Sequence, residues 1–118
     1  MEGQNKATLH DMQDRVDTYI SQFKEGYFRP LTMIARLSEE IGELAREVNH
    51  VYGEKPKKIT EDENTIENEL GDLLFVLLSF ANSLHINLED AFDQSMTKIE
   101  TRDKDRWTKK EVECEQDE

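Results

Sequence analysis

Glu69-Leu-Gly-Asp-Leu-Leu-Phe-Val-Leu-Leu-Ser-Phe-Ala81 is the stretch on which the fold turns. Period-2 alternation is absent and Gly and Pro punctuate the chain rarely, so the segment reads as a helix beginning near Asn64 or Thr65. Leu70, Leu73, Leu74, Phe75, Val76, Leu77, Leu78, Phe80 and Ala81 cover nearly its whole circumference. A helix that is apolar on almost every side must be surrounded, by its own chain and by a second subunit. Its acids stand at the start, where Glu69 and Asp72 are three residues apart on one face, followed a turn later by Val76 and Ser79.

Outward from this segment the chain offers three more helices. Before it lies a polar stretch from Tyr52 to about Asn64, with Gly53 and Pro56 as breakers and Lys55, Lys57 and Lys58 as a basic group, which reads as a loop. The helix ahead of that loop begins at Pro30 or Leu31, where a missing N–H costs nothing, and runs to about Val51. Ile34, Leu37, Ile41, Leu44, Val48 and Val51 form its expected core stripe. At about 100° per residue Glu40, Glu43 and Glu47 gather on the flank of that stripe with Arg36 beside them, while Glu39 points further round. A first helix is expected over Thr8 to Phe23, opened by a Thr8/Asp11 capping-box pattern and carrying Leu9, Met12, Val16, Tyr19, Ile20 and Phe23. A fourth opens at Asn87 with Asp90 as its cap partner, packs Leu88, Ala91, Phe92, Met96 and Ile99, and reaches about Arg102. The expectation is an all-α, four-helix domain over residues 1–107 and an acidic, disordered tail over 108–118, without internal repeats.

Charge narrows the function classes. The net charge of −12 and the lack of a basic face argue against nucleic acid polymers and anionic membranes as partners. An acidic protein still handles polyanionic nucleotides when divalent cations stand between its carboxylates and the phosphates. Cys114 is the single cysteine, so no disulfide forms within the chain. The N-terminal residues lack an apolar h-region and no apolar run approaches a membrane span of about 18 residues, so a cytoplasmic location is expected.

The chemistry rests on Glu39-Glu40-x-x-Glu43 in the second helix and Glu69-x-x-Asp72 in the third. Each helix presents two oxygen ligands on one face, and a neighbouring pair completes a hard-cation site that suits Mg²⁺ better than zinc. Carboxylates crowded without a cation repel one another. The ordinary alternative is a solvated acidic face, but both pairs abut the most apolar surfaces of the chain. A di-iron carboxylate bundle needs two Glu-x-x-His motifs, and only Glu47-Val-Asn-His50 is present, which reads as chance on a polar flank.

Leu37-Ser-Glu-Glu-Ile-Gly-Glu-Leu44 and Glu69-Leu-Gly-Asp-Leu-Leu-Phe75 closely resemble the MazG-type nucleotide pyrophosphohydrolases. The likeness extends over Ala81-Asn-Ser-Leu84, Leu88-Glu-Asp-Ala91 and the basic Lys98 to Trp107 segment, from about Leu9 to Trp107 in all. The resemblance implies an all-α fold assembled as a homodimer or homotetramer, with Glu40, Glu43, Glu69 and Asp72 binding Mg²⁺ and Mn²⁺ as its substitute. It implies hydrolysis of a nucleoside triphosphate between the α and β phosphates to a monophosphate and pyrophosphate, as in house-cleaning of non-standard nucleotides. Glu39 or Glu43 would orient the attacking water, making Glu39, Glu40 and Glu43 the expected catalytic acids. Asn82, Lys98, Arg102 and Arg106 are the expected substrate-binding residues, the last three recurring every four residues with solvent-exposed pairing to Glu100, Asp103 and Asp105 as their duller role. Phe28, Trp107 and Asn82 are the candidates for base recognition. The competing function is a non-enzymatic helical oligomer or regulatory nucleotide-binding module whose acids serve solubility alone.

Overall fold

The computed structural model describes residues 6–54 and 65–111. Four helices and no strands appear among them: α1 (Leu9–Ile20), α2 (Pro30–Tyr52), α3 (Ile66–Ser83) and α4 (Leu88–Arg102). Lys55, Lys57 and Lys58, and the tail from residue 112 on, lie outside the described residues. The chain divides into two units, Met1–Leu88 with α1 to α3 and Glu89–Glu118 with the rest of α4. Among the described residues no single helix is long and apolar enough to cross a membrane.

Local chemistry sets the helix starts. Thr8 Oγ1 accepts from the Asp11 N–H at 3.0 Å and the Asp11 carboxylate accepts from the Thr8 N–H at 3.0 Å, so the capping box is complete. That contact holds the Asp11 carboxyl below the usual carboxylate range. Pro30 occupies the first turn of α2, and Thr65 caps α3 by accepting from the Asn68 N–H. α3 ends in a Schellman turn: Ile86 N–H donates to Ala81 O and His85 N–H to Asn82 O, with His85 at φ 58 where glycine usually stands. α1 is shorter than its apolar pattern suggests, because Phe23 lies in the turn that follows Ile20, and Gly26 at φ 66 reverses the chain toward α2.

Within the first unit α3 is the centre, packing most extensively with α2 and then with α1. Val16, Met33, Val76, Leu78 and Ala81 are the buried apolar residues. The expected core stripe of α2 is corrected by the structure, since Ile34, Ile41, Val48 and Val51 are exposed and Met33 and Glu47 are buried instead. The helix is turned so that α3 meets the acidic flank, and the apolar stripe lies beside that contact. Even α3 is only partly covered, with Leu70, Leu74, Phe75 and Leu77 each more than a third exposed.

α1 is held to the end of α3 by a polar clasp. Gln13, itself buried, donates through Nε2 to Asn82 Oδ1 at 2.9 Å and Ile86 O at 2.8 Å, and its Oε1 accepts from the Leu88 N–H at 2.8 Å. Asn82 Nδ2 returns hydrogen bonds to Gln13 O at 2.9 Å and Tyr27 Oη at 3.1 Å. The Tyr27 hydroxyl donates to Asp17 at 2.6 Å, and burial together with that bond pushes its pKa up to about 12.

Candidate metal centre

α2 and α3 bring the two acidic motifs face to face. Burial, then a side-chain hydrogen bond with Glu43, then the charges of Glu43, Asp72 and Glu69 push the Glu40 carboxyl above its ordinary value. Burial also comes first in raising Glu69, followed by the charges of Glu43, Asp72 and Glu47, with Arg46 opposing them. Of the two α3 acids Asp72 bears more strongly on Glu40, and Glu47 is the further α2 acid that bears on Glu69.

Glu69 is 3% exposed, and its Oε2 is buried without a hydrogen-bond partner. An ionised carboxylate in that position costs several kcal/mol unless a positive charge meets it. The donors around it are carboxylate oxygens, the set preferred by hard divalent cations such as Mg²⁺ or Mn²⁺. A residue set of this chemistry fits such an ion. As the side chains stand, no three described His, Cys, Asp or Glu residues form a closed ligand set.

Of the expected site residues, Glu40, Glu43, Glu69 and Asp72 come together. Glu39 is exposed and is not among the charges acting on Glu40 or Glu69. Asn82 stands ten residues beyond Asp72 on α3, a rise of about 15 Å, with its amide engaged by Gln13 and Tyr27. It lines a cavity of about 500 Å³ together with Phe28, Tyr27 and His85. Phe28, half exposed, carries the Arg36 guanidinium 5.7 Å from its ring centroid. Lys98, Arg102, Arg106 and Trp107 belong to the second unit, where Arg102 bonds Asp103 at 3.0 Å, Arg106 reaches the same carboxylate at 3.7 Å, and Arg106 lies over the Trp107 ring.

The structure corrects the polar-flank reading of Glu47-Val-Asn-His50. Both side chains are buried, with His50 Nδ1 3.7 Å from Glu47 Oε2. The available signal was Glu47's position one turn beyond Glu43 on the acidic flank. Gln13 had no comparable signal, since a glutamine beside an apolar stripe ordinarily faces water.

A family model described as the MazG nucleotide pyrophosphohydrolase domain matches residues 28–107, which include all four acids of the centre. The chain belongs to this family. A Bacillus subtilis (strain 168) relative, the uncharacterized protein YpjD, is 67% identical over 104 residues, covering 88% of this chain and 94% of that protein. A crystal structure of Bacillus subtilis YpjD, there called a candidate pyrophosphatase, shares 63% identity with TM-score 0.73 and covers 80% of this chain and 97% of that one. The crystal structure of a Bacillus-conserved MazG protein, described as a nucleotide pyrophosphohydrolase, shares 58% identity with TM-score 0.73 over 87% of this chain and 100% of that one. The four strandless helices are those of the all-α MazG fold, and the MazG chain is an enzyme, a hydrolase of the nucleotide pyrophosphohydrolase class.

Proposed function

We propose that this MazG protein is a Mg²⁺-dependent nucleoside triphosphate pyrophosphohydrolase that cleaves between the α and β phosphates, releasing a nucleoside monophosphate and pyrophosphate. The observation that carries the metal requirement is the buried Glu69 carboxylate, whose Oε2 lacks a hydrogen-bond partner while the charges of Glu43, Asp72 and Glu47 bear on it. Glu40, Glu43, Glu69 and Asp72 would hold the ion. When bound, such an ion screens phosphate charge, polarises the attacked phosphorus and makes bound water more acidic. Burial of Glu69 keeps its carboxylate in place, and the pairing of Glu40 with Glu43 holds a carboxylate at the edge of the centre, where it can take a proton from the attacking water. The half-exposed apolar stripe of α2 supports a homodimer or homotetramer, and house-cleaning of non-standard nucleotides in the cytoplasm is the role that suits this chemistry.

The test is a panel of standard and modified ribo- and deoxyribonucleoside triphosphates incubated with Mg²⁺ or Mn²⁺, with products identified by ion-exchange chromatography. Monophosphate and pyrophosphate in equal amounts are expected. Stepwise loss of single phosphates, or products formed equally well with chelator present, would refute the proposal.

A further inference from the structure

Arg36 is accounted for by neither the acidic centre nor the clasp. It lies within roughly 40° of Glu40 and Glu43 around α2, and about 6 Å nearer the start of the helix than Glu40. It is partly buried. An arginine so placed ordinarily pairs with an acid one turn on. Among the described residues, however, no ion pair joins it to Glu40 or Glu43, and its charge is not among those acting on Glu40. Its partner is an uncharged ring instead: the guanidinium carbon stands 5.7 Å from the centroid of Phe28, two residues ahead of the Pro30 that opens α2. A guanidinium over an aromatic face uses its flat side, and the N–H groups in its plane stay open to an acceptor. Both groups keep part of their surface in solvent, so an incoming anion can reach that edge. Arg46, a second cation of α2, is spent differently, since it bears on Glu69. On a chain of net charge −12, an arginine held beside the acidic centre without neutralising it is a cation kept for another anion.

We propose that Arg36 is a substrate-binding residue: its guanidinium takes phosphate oxygens of the nucleotide that are not met by metal at the acidic centre, and Phe28 positions it for that contact. The inference rests on the reading of the α2 and α3 acids as a divalent metal centre for a nucleoside triphosphate. A polyphosphate held through metal at Glu40 has to extend only one helical turn to reach Arg36. The planar fork of arginine suits paired phosphate oxygens, and a guanidinium already stacked on a ring gives up less freedom when it binds them.

The probe is inorganic tripolyphosphate, which carries the phosphate chain without base or sugar, titrated calorimetrically into the full chain in excess Mg²⁺. The wild type is expected to bind it, and Arg36→Gln to bind it at least ~10-fold more weakly, the scale of hydrogen bonds to a charged group. Arg36→Lys, which keeps the charge and loses the fork, should fall between them. Phe28→Leu, which keeps the arginine and loses its platform, should weaken binding by about 2–5-fold. Lys24→Gln makes the same charge change in the exposed turn after α1 and should bind as the wild type does. Melting curves run alongside: if Arg36 serves only to pin Phe28, Arg36→Gln lowers Tm and leaves the tripolyphosphate affinity unchanged. Should Arg36→Gln not fold, Arg36→Lys and Phe28→Leu carry the same reading. Equal affinity in wild type and the Arg36 variants overturns the inference and leaves the metal centre standing, and so does a wild type that hydrolyses nucleotides yet does not bind tripolyphosphate. Arg36-dependent binding in a protein that releases pyrophosphate from no nucleotide keeps the phosphate contact and overturns the enzymatic reading instead.

Discussion

Asn82→Ala separates two roles for a residue that the sequence places among the substrate contacts and the structure places in the clasp between α1 and α3. The substitution removes three hydrogen bonds: the amide's donations to Gln13 O and Tyr27 Oη and its acceptance from Gln13 Nε2. At about 1 kcal/mol each the loss is about 3 kcal/mol. Two effects trim it. Gln13 Nε2 keeps Ile86 O and the Tyr27 hydroxyl keeps Asp17, and the adjoining cavity lets water reach the carbonyl left behind. A destabilisation of about 2–3 kcal/mol remains. For a unit of this size that is a fall in Tm of about 10–20 °C.

The assay is far-UV circular dichroism melting at fixed protein concentration, paired with pyrophosphate release measured well below both melting points. A spectroscopic readout accompanies it. The Asn82 hydrogen bond lowers the Tyr27 pKa while burial and Asp17 raise it, so phenolate absorbance should appear at still higher pH in the variant. A retained KM and kcat with the lowered Tm is the outcome expected of a clasp. A variant that melts within ~0.5 kcal/mol of wild type yet loses most of its kcat/KM would refute this reasoning and put Asn82 on the substrate.

Glu40→Gln and Asp72→Asn should each lower metal-dependent turnover at least ~100-fold with helicity unchanged, read by product release and far-UV spectra, because each removes ligand charge at constant shape. The carboxyls of Glu40 and Glu69 are raised in the folded chain, so their contribution to stability is fully present below the ordinary value of 4.5 and is lost as pH rises through their raised values. Metal-stripped protein should therefore lose Tm from these groups over that rise, and saturating Mg²⁺ should flatten the profile; a smaller fall in Tm with rising pH in stripped Glu40→Gln than in wild type would agree, whereas identical profiles would not. His85→Gly should raise stability by about 0.5–1 kcal/mol, since a β-carbon at φ 58 is strained, as checked by urea unfolding. Sedimentation at micromolar concentration should show a homodimer or larger, and an active, folded monomer would count against the proposed assembly.

Local signals in the sequence were strong where one side chain decides one backbone feature. The Thr8/Asp11 box, Pro30 at the start of α2 and the Thr65 region at the start of α3 are such cases, because a cap is settled by residues three positions apart. The turn after α3 is the reverse case, since His85 occupies a left-handed position without the glycine that would announce it, and surrounding hydrogen bonds hold it there. The acidic centre was legible as a shared face on each helix, but the burial of Glu47, His50 and Gln13 depends on which neighbour covers which flank. Helical periodicity gives angles around an axis and is silent on what lies across from them.

That silence matters most on α2. Met33, Glu40 and Glu47 are seven residues apart and so form one seam; Met33 and Glu47 are buried and Glu40 is partly so. Ile34, Ile41 and Val48 form a parallel seam one residue on, about 100° round the helix, and all three are exposed by more than a third. For an isolated chain this is the wrong way round, with acids inside and isoleucines outside. Both anomalies resolve without altering the fold if each seam has a partner the single chain does not supply. Cations would neutralise the acidic seam against α3, and a second copy would cover the apolar one. The two are coupled through the rotation of a single helix, because turning α2 to bury the isoleucines in its own chain would swing Glu40 and Glu47 away from Glu69 and Asp72. The exposed stripe is then the structural cost of holding the carboxylates against α3, and the proposed assembly would offset it.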